Sequence, residues 1–121
     1  MTNNRLLDSS IIISYLLEEE FKEAIEKEKN SISDVTLFEI QKKLLQEKVP
    51  SVLIQKNIMY IKQKCVTKAV THEILEKAAE QAVKNNLSAL DAIIYATSII
   101  EKKVLLTRDN DFRDLPNVQV V

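Results

Sequence analysis

Residues 87–112 constrain the fold more than any other stretch, because they read as a helix, a strand and an acidic loop in immediate succession. Ser88 is a good helix N-cap, and Leu90, Ala92, Ile93, Ile94, Ala96, Ile99 and Ile100 follow with hardly a polar interruption. A helix apolar on nearly all sides belongs in the middle of a domain. Glu101, Lys102 and Lys103 end it, and Val104-Leu105-Leu106 is a short apolar run suited to a strand covered on both faces. Thr107, Arg108, Asp109, Asn110, Asp111 and Phe112 come directly after. In open α/β sheets ligands bind beyond the carboxyl ends of the strands. These acids therefore stand where an active site is expected.

The rest of the chain supplies matching units. Arg5-Leu6-Leu7 reads as a first strand with Asp8 at its carboxyl end, and Ser9 or Ser10 caps a helix over 11–28. Residues 30–33 form a break or a brief strand. A second helix spans 35–48, with Asp34 or Thr36 as its cap and Leu37, Ile40, Leu44 and Leu45 on its inner side. Pro50 suits the first turn of a third helix over 50–61, and 64–67 is a strand candidate. Thr71 caps a fourth helix with a stripe of Leu75, Ala78, Ala79, Ala82 and Val83, which Asn85-Asn86 ends. Residues 115–117 form a turn and 118–121 a last strand. Strands separated by helical stretches predict an α/β fold in three layers, with a mostly parallel sheet of four to five short strands flanked by helices.

Composition narrows the chemistry. A chain of 121 residues supports one hydrophobic core, so a single domain over 1–121 is expected. With a net charge of −1 and a pI near 5.9, no global field draws it to nucleic acid, and any such binding must be local. Glycine is absent, which excludes the usual phosphate loops and dinucleotide fingerprints. The one cysteine, Cys65, allows no intrachain disulfide and suits a reducing, cytoplasmic setting. The apolar run 11–17 is too short for a membrane span and lacks a basic flank, so neither a targeting segment nor a membrane partner is expected.

Four carboxylates occupy positions that chemistry would use: Asp8 and Asp109 beyond strands, and Glu39 and Asp91 in helix first turns. Each has a plainer explanation. Thr36-x-x-Glu39 and Ser88-x-x-Asp91 both fit the capping box, Asp8 suits a cap, and Asp109 suits a turn. Capping, however, does not require all four to fall on one edge of a sheet. If they converge, a hard divalent cation such as Mg²⁺ offsets their repulsion through oxygen ligands, and one or two such ions can activate water against a phosphodiester. No Cys/His cluster points to zinc.

Taken together, Leu7-Asp8-Ser9-Ser10, Ser33-x-x-Thr36-x-x-Glu39, Leu90-Asp91-Ala92-Ile93-Ile94-x-Ala96 and Leu106-Thr107-x-Asp109-x-Asp111-Phe112 resemble the PIN domain. This is the small metal-dependent ribonuclease fold that includes the toxins of VapBC toxin–antitoxin pairs. The resemblance covers essentially the whole chain. It implies that Asp8, Glu39, Asp91 and Asp109 form an acidic Mg²⁺- or Mn²⁺-binding quartet, with Asp111 as an accessory acid and Thr107 as an orienting hydroxyl. It further implies an endoribonuclease acting on RNA, a toxin role neutralised by an antitoxin protein, and a homodimer, for which Leu53, Ile54, Ile58 and Met59 are interface candidates.

Arg108 and Arg113 flank the acidic loop and suit RNA phosphate, although Arg113 is equally placed to pair with Asp111 or Asp114. His72 reads as a surface residue, Cys65 as a core or strand residue, and Tyr15, Tyr60 and Tyr95 as packing. Two rival readings remain. A catalytically inactive scaffold of the same fold, binding RNA or protein, would keep the architecture without the chemistry. A receiver-like phosphoacceptor would need an acid after a middle strand, and none follows Cys65-Val66-Thr67.

Overall fold

The structure, a computed structural model, describes residues 3–121. Its elements are β1 (Arg5–Leu7), α1 (Ser9–Glu18), α2 (Lys22–Lys27), β2 (Asn30–Ser33), α3 (Asp34–Gln46), α4 (Ser51–Lys64), β3 (Cys65–Lys68), α5 (His72–Asn85), α6 (Ala89–Ile100), β4 (Val104–Thr107), a 3-10 turn (Asn110–Phe112) and β5 (Val118–Val120). The five strands form one sheet in the order β3-β2-β1-β4-β5, and every pairing is parallel. The chain lays strands outward from β1 through β2 to β3, then returns to place β4 on the other side of β1. The point of reversal lies between β1 and β4, the crevice where open α/β folds bind ligands.

Alternation along the central strands builds the three layers. Leu7 and Leu106 are buried in one core with Ile11, Ile12, Ile25, Ile40, Leu44, Ile54 and Ile61, from the α1–α4 side. Leu6 and Leu105 are buried in the other with Ile74, Ala78, Ala92, Ile94, Tyr95 and Phe112, from the α5–α6 side. Fully burying each of these aliphatic side chains contributes about 1.5–3 kcal/mol, which explains why such short strands persist.

Several local expectations are corrected. In place of one helix over 11–28 there are two, separated at Glu19-Glu20-Phe21, where Glu19 (φ 58°) and Phe21 (φ 57°) are left-handed. Three acids at a helix C-terminus oppose its dipole. The cap of α3 is Ser33, whose Oγ accepts the Val35 N–H at 3.2 Å, rather than Asp34 or Thr36. Pro50 lies just ahead of α4 instead of in its first turn, and its carbonyl accepts from Leu53 and Ile54.

The inner stripe of α5 is Ile74 and Ala78, while Leu75 and Val83 face solvent. Leu45 is likewise exposed on α3. Of the interface candidates, Ile54 (6% exposed) is buried and Ile58 is partly buried against the core, whereas Leu53 (48%) and Met59 (61%) are exposed. Among the described residues, no helix is long and apolar enough to cross a membrane.

Candidate active site

The carboxyl ends of β1 and β4 bring the acids together. Asp8 follows β1 directly and is buried, its N–H donating to the Leu106 carbonyl at 2.9 Å. It occupies the N-cap position of α1, yet its side chain makes no capping bond. Its Oδ2 instead accepts the hydroxyls of Thr107 and Ser10, each at 2.7 Å. Thr107 Oγ1 in turn accepts the Asp109 N–H at 2.9 Å, so the acid after β1 and the loop after β4 share one hydroxyl.

Glu39 is not in a first turn. Because Ser33 takes the cap, Glu39 lies one turn further into α3 and serves no capping box. Burial is the largest cause that raises its pKa, followed by the charges of Asp8 and Asp91, with Ser9 and Lys42 acting in the opposite direction. Its Oε1 is buried without a hydrogen-bond partner, as is Thr36 Oγ1 one turn earlier. A buried carboxylate oxygen left unpaired is costly, and coordination to a cation is one arrangement that would satisfy it.

Asp91 sits in the first turn of α6, where Ser88 Oγ accepts the Asp91 N–H at 3.4 Å. That is half of a capping box. Its carboxyl is nevertheless pushed up to about 6, chiefly by burial and then by the charge of Asp109, with Asp8 and Asp111 adding to the effect and Ser88 opposing it. A carboxylate serving only as a cap would be eased by the helix dipole. Here burial, followed by crowding by like charges, prevails.

Carboxylate oxygens of Asp91, Asp109 and Asp111 all lie within 4.8 Å of one another. Asp109 does make a turn, its Oδ1 accepting the Asp111 N–H at 2.9 Å, and in doing so it carries Asp111 into the group. Asp111, the accessory acid of the sequence, is thus a member of the tightest cluster. Asp8 and Glu39 lie outside that cluster but act on it electrostatically. The donors are all carboxylate oxygens, a set that fits a hard divalent cation such as Mg²⁺ or Mn²⁺.

The flanking arginines turn to other partners. Arg108 Nη1 bonds Ser14 Oγ at 2.9 Å and Glu20 Oε1 at 2.8 Å, and its guanidinium lies 5.7 Å from the Phe21 ring centroid. The left-handed corner between α1 and α2 is what presents Glu20 and Phe21 to it. Arg113 bonds Asn110 Oδ1 through Nε (3.2 Å) and Nη2 (2.5 Å), in place of a pairing with Asp111 or Asp114. Lys42 stands outside every sequence motif, and Ser10 is marked there only as a candidate helix cap. Lys42 is the cation that acts on Glu39, and its i,i+3 spacing was the available signal. Ser10 has a near partner in Asp8, but its contacts with Thr107 and Arg108 lie across the sheet and carry no local signal. Burial pushes the Cys65 thiol up to about 11, which suits a strand residue and not a nucleophile.

Comparison with known proteins agrees with this architecture. The family model described as PIN domain matches residues 5–118. A chain of a toxin–antitoxin complex from Klebsiella pneumoniae superposes with a TM-score of 0.81 at 26% identity, over 96% of each chain. A chain of VapBC2 from Rickettsia felis, solved bound to a promoter DNA fragment, gives 0.76 at 15% identity over 97% of this chain and 96% of that one. VapC20 from Mycobacterium tuberculosis, described as a sarcin–ricin loop cleaving toxin, gives 0.70 at 17% identity over 89% and 92%. No curated protein sequence matches. β3 ends at Lys68 with no acid beyond it, so a receiver-like pocket has no acceptor. A sheet that reverses between β1 and β4, with its acids at that reversal and a family model spanning nearly its whole length, places the chain in the PIN domain family.

Proposed function

We propose that this protein is a Mg²⁺- or Mn²⁺-dependent endoribonuclease and the toxin of a toxin–antitoxin pair. The observation that carries the reading is the convergence of Asp91, Asp109 and Asp111 within 4.8 Å beside the buried Asp8 and the unpartnered Glu39 Oε1. Asp8, Glu39, Asp91 and Asp109 would hold the cation, with Asp111 contributing from the exposed rim. When bound there, such an ion would supply an activated water and neutralise charge on the phosphodiester. The protein's own share is positional. Thr107 fixes Asp8 and the Asp109 backbone through one hydroxyl. Lys42 and, once released from Glu20, Arg108 offer charge to RNA phosphates, with Arg113 at the outer edge of the loop.

The toxin role is supported by the Klebsiella pneumoniae structure, which is a toxin–antitoxin complex. The VapC20 likeness supports the fold and leaves the RNA target open. An antitoxin protein and a second copy of this chain are the proposed partners. Exposed Phe38 and Leu45 on α3 and Leu53 and Met59 on α4 offer apolar surface for them. A cytoplasmic location suits the single free cysteine. The test is cleavage of a mixed RNA substrate with Mn²⁺, with chelator, and by the four amide variants Asp8→Asn, Glu39→Gln, Asp91→Asn and Asp109→Asn. Metal-dependent cleavage lost in all four supports the reading. Cleavage that survives in chelator, or in the Asp91→Asn protein, contradicts it.

A further inference from the structure

We infer that Ser10 is a positioning residue for the candidate metal site: its hydroxyl locks the Asp8 carboxylate to the loop that follows β4. This rests on the metal-dependent reading above and assigns a residue that the sequence motifs leave as a helix cap.

Donor accounting singles it out. A serine hydroxyl has one proton to give and two lone pairs to receive. Ser10 gives its proton to Asp8 Oδ2 at 2.7 Å and accepts the Arg108 N–H at 3.0 Å. Thr107 does the parallel thing, giving to the same Asp8 Oδ2 at 2.7 Å and accepting the Asp109 N–H at 2.9 Å. The two hydroxyl oxygens approach to 3.3 Å, a side-by-side contact, since both protons are already committed to Asp8. Two consecutive backbone N–H groups beyond β4 are thus tied, through two hydroxyls, to one carboxylate oxygen beyond β1.

Capping does not account for this. The N-cap of α1 is Asp8, and the bond from Arg108 to Ser10 spans 98 residues of sequence. Two hydroxyls on Oδ2 hold that oxygen more firmly than either alone and so restrain the direction of Oδ1 relative to Asp109. Groups that orient metal-binding carboxylates typically change metal affinity by roughly 10–100-fold when removed.

The experiment compares the parent with S10A and S10T, measuring Mn²⁺ affinity by titration calorimetry and melting temperature in chelator. S10A removes the hydroxyl and keeps a good helix residue, and S10T restores the hydroxyl with one added methyl. The expected result is Mn²⁺ binding weakened roughly 10–100-fold in S10A and returned to within about 3-fold of the parent in S10T. The chelator melts should show both variants folded, and RNA cleavage should fall in S10A at fixed low Mn²⁺ and recover as Mn²⁺ is raised. Parent-like Mn²⁺ affinity in S10A overturns the inference. So does equal weakening in folded S10A and S10T, which would make packing, not the hydroxyl, the cause. A parent protein that binds no Mn²⁺ fails the proposed function itself and removes the basis of this inference with it. Strong parent binding with an indifferent S10A fails only the role of Ser10.

Discussion

The two ends of the same parallel sheet are built on opposite electrostatic plans. At the amino ends of the strands, charge and polarity are matched. Arg5 bonds Glu28 at 3.1 Å and Asn30 Oδ1 at 3.2 Å, Asn30 Nδ2 donates to the Ala24 carbonyl at 2.8 Å, and Ser31 donates to Asn3 at 3.0 Å. At the carboxyl ends, five acids crowd together, burial and mutual repulsion raise two of them, and Glu39 Oε1 goes unpartnered. A satisfied polar edge serves the fold, whereas an unsatisfied one is where a ligand would be expected.

Breaking each end in turn sharpens the contrast. The largest effect is on catalysis: a single amide at Asp8, Glu39, Asp91 or Asp109 should lower metal-dependent RNA cleavage by about 10²–10³-fold or more, the scale of losing one preorganised charge-stabilising group. Initial-rate assays at saturating Mn²⁺ measure it. At the amino end, Asn30→Ala should instead cost about 1–3 kcal/mol of stability, because it removes the partner of the part-buried Ala24 carbonyl and of the Arg5 Nε–H. Urea melts should show that loss equally in chelator and in Mn²⁺, since nothing at that edge is linked to the ion.

Much of this was legible in the residues. Leu-Leu followed by Asp8, and Leu-Leu-Thr followed by Arg108 and Asp109, announce strands that lead into acids, and the sheet aligns those ends because all its strands are parallel. The corner at Glu19-Glu20-Phe21 was not legible. A chain without glycine must use other residues where φ is positive, and Glu19 and Phe21 carry no sequence mark of it. Glu39 was placed correctly in its helix but one turn off, because Ser33 both ends β2 and caps α3. The role of Ser10 depends on residues almost a hundred positions away, and no local pattern encodes such a contact.

A smaller effect should appear with pH. Asp91, pushed up to about 6, and Glu39, also raised, bind protons more tightly in the folded chain than in the unfolded one. Stability from these groups is therefore full below the unfolded carboxylate range and is lost as pH rises through their raised folded values, for Asp91 up to about 6. In chelator, the stability difference between Asp91→Asn and the parent should grow in favour of the variant across that window and level off above it. The half-buried setting and solvent screening keep the difference modest, and paired melts at several pH values measure it. Smallest of all, Glu28→Gln removes the surface pair with Arg5 and should change stability by no more than about 1 kcal/mol at any metal concentration.

The central claim is that the carboxyl-end acids are a charge-strained site awaiting a cation, and thermal melts of the parent and Asp91→Asn, in chelator and in millimolar Mn²⁺, test it most directly. Metal that binds only the folded state stabilises it by about 2.7 kcal/mol at 100 times its dissociation constant. For a domain of this size that is a rise of roughly 5–15 °C. The account predicts that rise in the parent, a higher chelator melting temperature in Asp91→Asn, and a smaller response of the variant to Mn²⁺. A variant that melts lower in chelator and responds to Mn²⁺ as the parent does would show Asp91 to be a helix cap and contradict the account.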